Sequence, residues 1–178
     1  MHRSVPRLIA LAAVAALLLT AIPAARAADA PDGLLPAGSP APLFEAVDID
    51  GQPFVLADAL KEGPVLLVFW SIFCGTCRDE LPIIEQERPK FPNGLQVVTV
   101  NLDEAPRART VKGFAQQQGF SFRMVLNRVE GKEFQIEQAY QVKVTPTLYL
   151  LDSDGTVAYG HTGALSPEQL LEVVAKAK

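Results

Sequence analysis

Cysteine and histidine are nearly absent from this chain of 178 residues, which holds only Cys74, Cys77, His2 and His161. Two cysteines cannot build the dense disulfide framework of small secreted domains, and a chain this long can bury a core without one. A structural zinc site needs about four ligands. The cysteine pair supplies two, and of the histidines only His161 lies beyond the N-terminal leader. A basic excess is also missing: 16 Lys and Arg stand against 20 Asp and Glu, for a net charge of −4. That balance argues against nucleic acid or an anionic membrane surface as partner. There is no internal repeat, and a single long apolar run, at the N-terminus.

That run, "LIALAAVAALLLTAI" from Leu8 to Ile22, follows Arg3 and Arg7, ends at Pro23 and precedes "ARA" at Ala25 to Ala27. It is shorter than the roughly 20 residues a membrane-crossing helix needs. A positive start, a short apolar middle and small residues at the end are the plan of a secretory signal peptide cut after Ala27. Residues 1–27 are therefore expected to be a signal peptide, or alternatively an uncleaved inner-membrane anchor. Residues 28–42, "ADAPDGLLPAGSPAP", read as a linker, and 43–178 as one domain. Export places that domain in the periplasm. Without Arg3, Arg7 and Arg26 it carries 13 basic against 20 acidic residues, about −7.

Beyond the linker, Asp50-Gly51 between two short apolar segments predicts a hairpin, with Leu56 to Leu60 opening a helical turn. "PVLLVFW", Pro64 to Trp70, reads as a central strand covered on both faces. Cys74 to about Lys90 reads as a helix kinked at Pro82. "LQVVTVNLD" is a second buried strand, and a helix from Arg107 carries Val111, Phe114 and Ala115 at helical spacing before stopping at Gly119. "FRMVLN" is a strand, "GKEFQIEQAYQV" a helix and "TLYLLD" a strand joined through Asp154-Gly155 to "VAYGHTG". The last helix opens with Ser166 as N-cap and Pro167 at its first position. Strands alternating with helices imply a mixed α/β sheet with helices on both faces, and ligands on such sheets gather at carboxyl ends of strands. Cys74 is at such an end.

A Cys-x-x-Cys that follows a buried strand and opens a helix is suited to redox chemistry. The helix start offers unpaired N–H groups and partial positive charge, which stabilise a thiolate. Cys74 would be the exposed attacker and Cys77, one turn inside, would resolve the mixed disulfide formed with a substrate. Gly75 and Thr76 keep the turn small and uncharged. A purely structural disulfide closing so small a ring would gain little loop entropy.

The chain resembles the exported TlpA/ResA-like thiol-disulfide oxidoreductases of the thioredoxin fold. The resemblance covers roughly Leu43 to Lys178 and rests on "VFWSIFCGTCRDELP", on "VTPTLYLLDSDG" and on the strand and helix inserted between them. It implies a three-layer thioredoxin-like fold with an N-terminal hairpin and an inserted strand-helix element. It also implies that Pro146 is a cis proline facing the site, with Thr145 presenting its backbone to an incoming peptide. Glu80 matches the acidic residue that assists proton transfer at Cys77. Trp70 matches the aromatic that supports the active-site turn, Arg78 lines the site, Asp79 faces outward, and Trp70, Phe73, Gly75 and Thr76 are expected to bind substrate together with Thr145 and Pro146. Phe73 and Thr76 stand where members commonly have Trp and Pro, and the added N–H and hydroxyl of Thr76 would stabilise the reduced form.

The resemblance favours a reductase of the cytochrome c or copper-enzyme assembly type. It would act on protein thiols and disulfides as a monomer without metal or organic cofactor, drawing electrons from a membrane partner. Its negative body would favour basic client segments. Two other readings stay open. A Cu(I) metallochaperone could hold the soft ion through two thiolates, with His161 near the sulfurs. A non-catalytic binding module would keep the cysteines buried and unreactive. A peroxidase of related fold is disfavoured, since no Thr-x-x-Cys opens a helix apart from the Cys-x-x-Cys itself.

Overall fold

The computed structural model describes residues 33–103, 107–127 and 136–178. The expected signal peptide at 1–27, the first residues of the linker and the start of the helix expected from Gly131 lie outside them. Where residues 33–42 are described, they lie against the far hairpin of the sheet. Gly38 N–H donates to the Val157 carbonyl at 2.8 Å and Ala41 N–H to that of Gly155 at 2.9 Å, while Leu34 and Ala41 are buried.

The first hairpin pairs β1 (Glu45–Val47) with β2 (Pro53–Val55). Gly51, at φ 81°, takes the left-handed turn conformation that glycine adopts without steric cost. Helix α1 (Leu56–Glu62) leads into β3 (Val65–Trp70), in which all six residues are buried. Helix α2 (Gly75–Glu87) follows and continues as a 3-10 turn, Arg88–Lys90. Pro82 lies inside α2 and has no N–H to give the carbonyl one turn back. Then come β4 (Gln96–Asn101), α3 (Ala108–Gln118), β5 (Arg123–Leu126) and α4 (Ile136–Ala139). Gly119, at φ 70°, ends α3 in the left-handed cap that its sequence position predicts. Strand β6 (Thr147–Leu151) turns into β7 (Val157–Thr162), and α5 (Pro167–Val174) closes the chain.

The sheet order is β5-β4-β3-β6-β7, with β4 parallel to β3 and to β5, and β6 and β7 antiparallel to their neighbours. This is the mixed sheet expected from the alternating elements. Because side chains alternate across a strand, β3 feeds two cores. Val65, Leu67 and Phe69 meet α1, the hairpin, α4 and Tyr140 on one face. Leu66, Val68 and Trp70 meet Leu81 and Ile84 of α2, Val111 of α3 and Leu170 and Val173 of α5 on the other. Among the described residues no helix is long and apolar enough to cross a membrane.

Candidate active site

The central strand delivers the cysteines to the edge of the sheet. Cys74 is the N-cap of α2, and its sulfur accepts the Cys77 N–H at 3.1 Å. The two sulfurs are joined as a disulfide. Cys74 is half-buried, whereas Cys77 is 1% exposed. An incoming sulfur can therefore reach Cys74 and not Cys77. On the other side of Cys74, the Thr145–Pro146 bond is cis, and the Thr145 carbonyl oxygen lies 3.5 Å from the Cys74 sulfur. The Thr147 hydroxyl donates to the Val144 carbonyl at 2.8 Å, fixing the segment that carries this bond. The Pro146 carbonyl accepts the Gly163 N–H at 2.8 Å.

Glu80 lies three residues beyond Cys77 on the buried side of α2, a spacing that makes two helical side chains neighbours, with Cβ atoms about 5–6 Å apart. It is 2% exposed. One carboxyl oxygen accepts the Leu165 N–H at 2.9 Å, and the other is buried with no partner. Burial pushes the carboxyl up from the usual 4.5 to about 7, against the pull of the Leu165 N–H. A group that titrates near neutrality can either take or give a proton beside Cys77. The loop between β7 and α5 thus touches both halves of the site, through Gly163 to Pro146 and through Leu165 to Glu80.

Known proteins carry the same arrangement of elements. The model of the AhpC/TSA family matches residues 37–160 of this chain. The chain belongs to that family. The thiol-disulfide oxidoreductase ResA of Bacillus thuringiensis (strain Al Hakam) is 33% identical over 134 residues, spanning 75% of this chain and 73% of that protein. The thioredoxin-like protein YneN of Bacillus subtilis (strain 168) is 31% identical and spans 75% of each chain. The crystal structure of a thiol:disulfide interchange protein of the thioredoxin family from Chlorobium tepidum TLS superposes with a TM-score of 0.67 at 25% identity. It covers 78% of this chain and 95% of that one. The ResA-like resemblance carried by the cysteine motif holds, and the chain is a thiol-disulfide oxidoreductase of thioredoxin-like fold with Cys74 and Cys77 as its close cysteine pair.

The other residues singled out from the sequence fall in different places. Phe73 is 67% exposed beside Cys74, and the Arg107 guanidinium sits 4.8 Å from its ring centroid. Gly75, Thr76, Arg78 and Asp79 are exposed on the first turn of α2. Thr76 gives neither sulfur a hydrogen bond. Trp70 is fully buried against the Phe114 ring, 5.8 Å away. It therefore underlies the turn and cannot touch a substrate. His161 lies on β7 opposite Leu148 and stacks on Tyr159. Among the described residues no three His, Cys, Asp or Glu side chains come together to hold a metal ion.

One residue of this site escapes sequence reasoning. Asp103, just past the end of β4, accepts the Ser71 hydroxyl, the Ile72 N–H and the Asn101 side-chain amide, each at 2.7 Å. Ser71 in turn accepts the Phe73 N–H on its hydroxyl and the Cys74 N–H on its carbonyl, both at 3.1 Å. The N–H groups of Ile72, Phe73 and Cys74 are therefore all committed, the first to this carboxylate and the other two to Ser71, whose hydroxyl it holds. Thirty-two residues separate Ser71 from Asp103, so only the parallel pairing of β3 with β4 brings them together. The sequence signal was an acidic residue at the carboxyl end of a strand next to the cysteine strand.

Proposed function

We propose that the protein is a periplasmic reductase of protein disulfides, in thiol maintenance of the cytochrome c or copper-enzyme assembly type. It acts as a monomer through sulfur alone, without metal or organic cofactor, and a membrane electron donor restores its dithiol. The Cys74 thiolate attacks a client disulfide, forming a Cys74–client bond, and the departing client thiolate takes up a proton. Cys77 then loses its proton to the Glu80 carboxylate, and its thiolate attacks the Cys74 sulfur. The second client sulfur leaves and is protonated. The client gains two electrons and two protons, and Cys74 and Cys77 end as the disulfide.

The observation that supports reduction over oxidation is how few hydrogen bonds would add to the positive start of α2 in holding a thiolate on Cys74. One N–H reaches its sulfur, at 3.1 Å, and the Thr145 carbonyl oxygen stands against it at 3.5 Å. Strongly oxidising pairs owe their potential to a stabilised reduced form. The extra donors of Thr76 that would have favoured one make no hydrogen bond to either sulfur. Cys74→Ser tests the reading with a model disulfide protein and a chemical reductant. The variant should lose the wild-type rate, while Cys77→Ser should accumulate a Cys74–client mixed disulfide. Wild-type turnover by Cys74→Ser would sink the proposal.

A further inference from the structure

Among the described residues three large hydrophobic side chains are strongly exposed, Leu43, Phe73 and Val144. Two of them flank the reactive sulfur. Phe73 precedes Cys74, and Val144 precedes Thr145, whose carbonyl oxygen is 3.5 Å from that sulfur. The Phe73 backbone is held by the Ser71 hydroxyl, so the exposed ring sits on a braced turn.

One cation touches this apolar pair and two more lie close to it in sequence. Arg107 stacks its guanidinium over the Phe73 ring and keeps N–H donors for other partners. Arg78 is exposed on the first turn of α2, and Lys143 is exposed beside Val144. None of the three is paired with a carboxylate among the described residues. Among the described residues the nearby acids are Asp79, exposed on α2, and Asp103, whose oxygens are taken by the turn. The chain as a whole has the opposite sign, with a net charge of −4. Charges farther than a Debye length, about 8 Å at physiological salt, are largely screened. At contact distance the local cations outweigh the acidic body.

We propose that this face selects client segments in which the disulfide lies next to an apolar side chain flanked by Asp or Glu. The apolar residue covers Phe73 and Val144, and the client carboxylates meet Arg107 and Arg78. This deepens the reductase reading and rests on it. It reverses the preference for basic segments that the mean charge suggests.

Two synthetic peptides test it. Each carries the same intramolecular disulfide beside a Leu, flanked by two Glu in one and two Lys in the other. The rate of each with the reduced protein is divided by its rate with dithiothreitol, which removes differences in intrinsic sulfur reactivity. The Glu peptide should react about fivefold faster at low salt, the size that two exposed ion pairs typically give. The ratio should fall to within about twofold in 0.5 M salt and in the double variant Arg78→Gln, Arg107→Gln. A wild-type ratio of one or below overturns the proposal, as does a ratio unmoved by salt. Silence toward both peptides with hydroxyethyl disulfide still reduced also overturns it. Silence toward hydroxyethyl disulfide as well would instead count against the exchange reaction beneath it.

Discussion

Replacing Glu80 by Gln should raise stability and slow the chemistry, and the two effects should separate with pH. In the folded protein the Glu80 carboxyl titrates at about 7 and in an unfolded chain near 4.5, because burial disfavours its charged form. Below about pH 4.5 both states hold the proton and nothing is lost. Between 4.5 and 7 the unfolded chain releases its proton while the folded one keeps it, so stability falls as pH rises. Above 7 the loss is complete. Moving the carboxyl from 4.5 to about 7 corresponds to roughly 3 kcal/mol. At 2% exposure, solvent screening takes little from that figure.

Gln is neutral at every pH, nearly the same shape, and keeps an oxygen for the Leu165 N–H. Urea unfolding of the oxidised protein at pH 4.5, 6, 7 and 8 should find the variant and the wild type within about 1 kcal/mol at the acid end. The gap should widen to about 3 kcal/mol in favour of Gln at pH 8. Taking the difference between variants removes the other groups, including Glu137, whose carboxyl burial also raises. In the same variant the resolving step should slow by about 10²-fold, since no acceptor remains for the Cys77 proton. A stability difference that stays flat from pH 4.5 to 8 would refute the reasoning.

Further substitutions probe the scaffold around the sulfurs. Asp103→Ala strips the turn of three hydrogen bonds and should cost about 2 kcal/mol by urea unfolding. It should also slow the attack of Cys74 about tenfold through loss of orientation, with Asp103→Asn partly restored because one acceptor remains; an unchanged attack rate would show the carboxylate to be structural only. Ser166→Ala removes the capping box in which the Ser166 hydroxyl accepts the Gln169 N–H and Gln169 returns a bond to the Ser166 N–H. A loss of about 1 kcal/mol is expected from thermal unfolding, and no measurable change would mean that packing alone sets that helix start.

What could be read in advance was local in sequence. The unbroken apolar strand, the cysteines at its end, the glycine that stops α3 and the serine that caps α5 each act within a few residues of themselves. Thr145-Pro146 is marked by the family resemblance, since an X-Pro bond at a strand start is ordinarily trans. The features that stayed hidden depend on distant segments. Glu80 is marked by the family resemblance alone, and only the loop before α5, 85 residues away, shows what holds its carboxylate. Asp103 reaches Ser71 only because β3 and β4 lie side by side. The cation over Phe73 is invisible in the mean charge because Arg107 reaches the ring from the start of another helix. Residues 33–42 look loose by composition, yet their backbone bonds to Gly155 and Val157 depend on a hairpin more than 100 residues later.

Direction of electron flow is the central claim, and the equilibrium reduction potential of the Cys74/Cys77 pair, titrated in defined dithiol buffers, tests it most directly. With a single N–H on the Cys74 sulfur, the pair should settle at about −250 mV or below, where a dithiol donates electrons. A potential between about −180 and −120 mV would instead mark an oxidant or isomerase and contradict the reductase assignment.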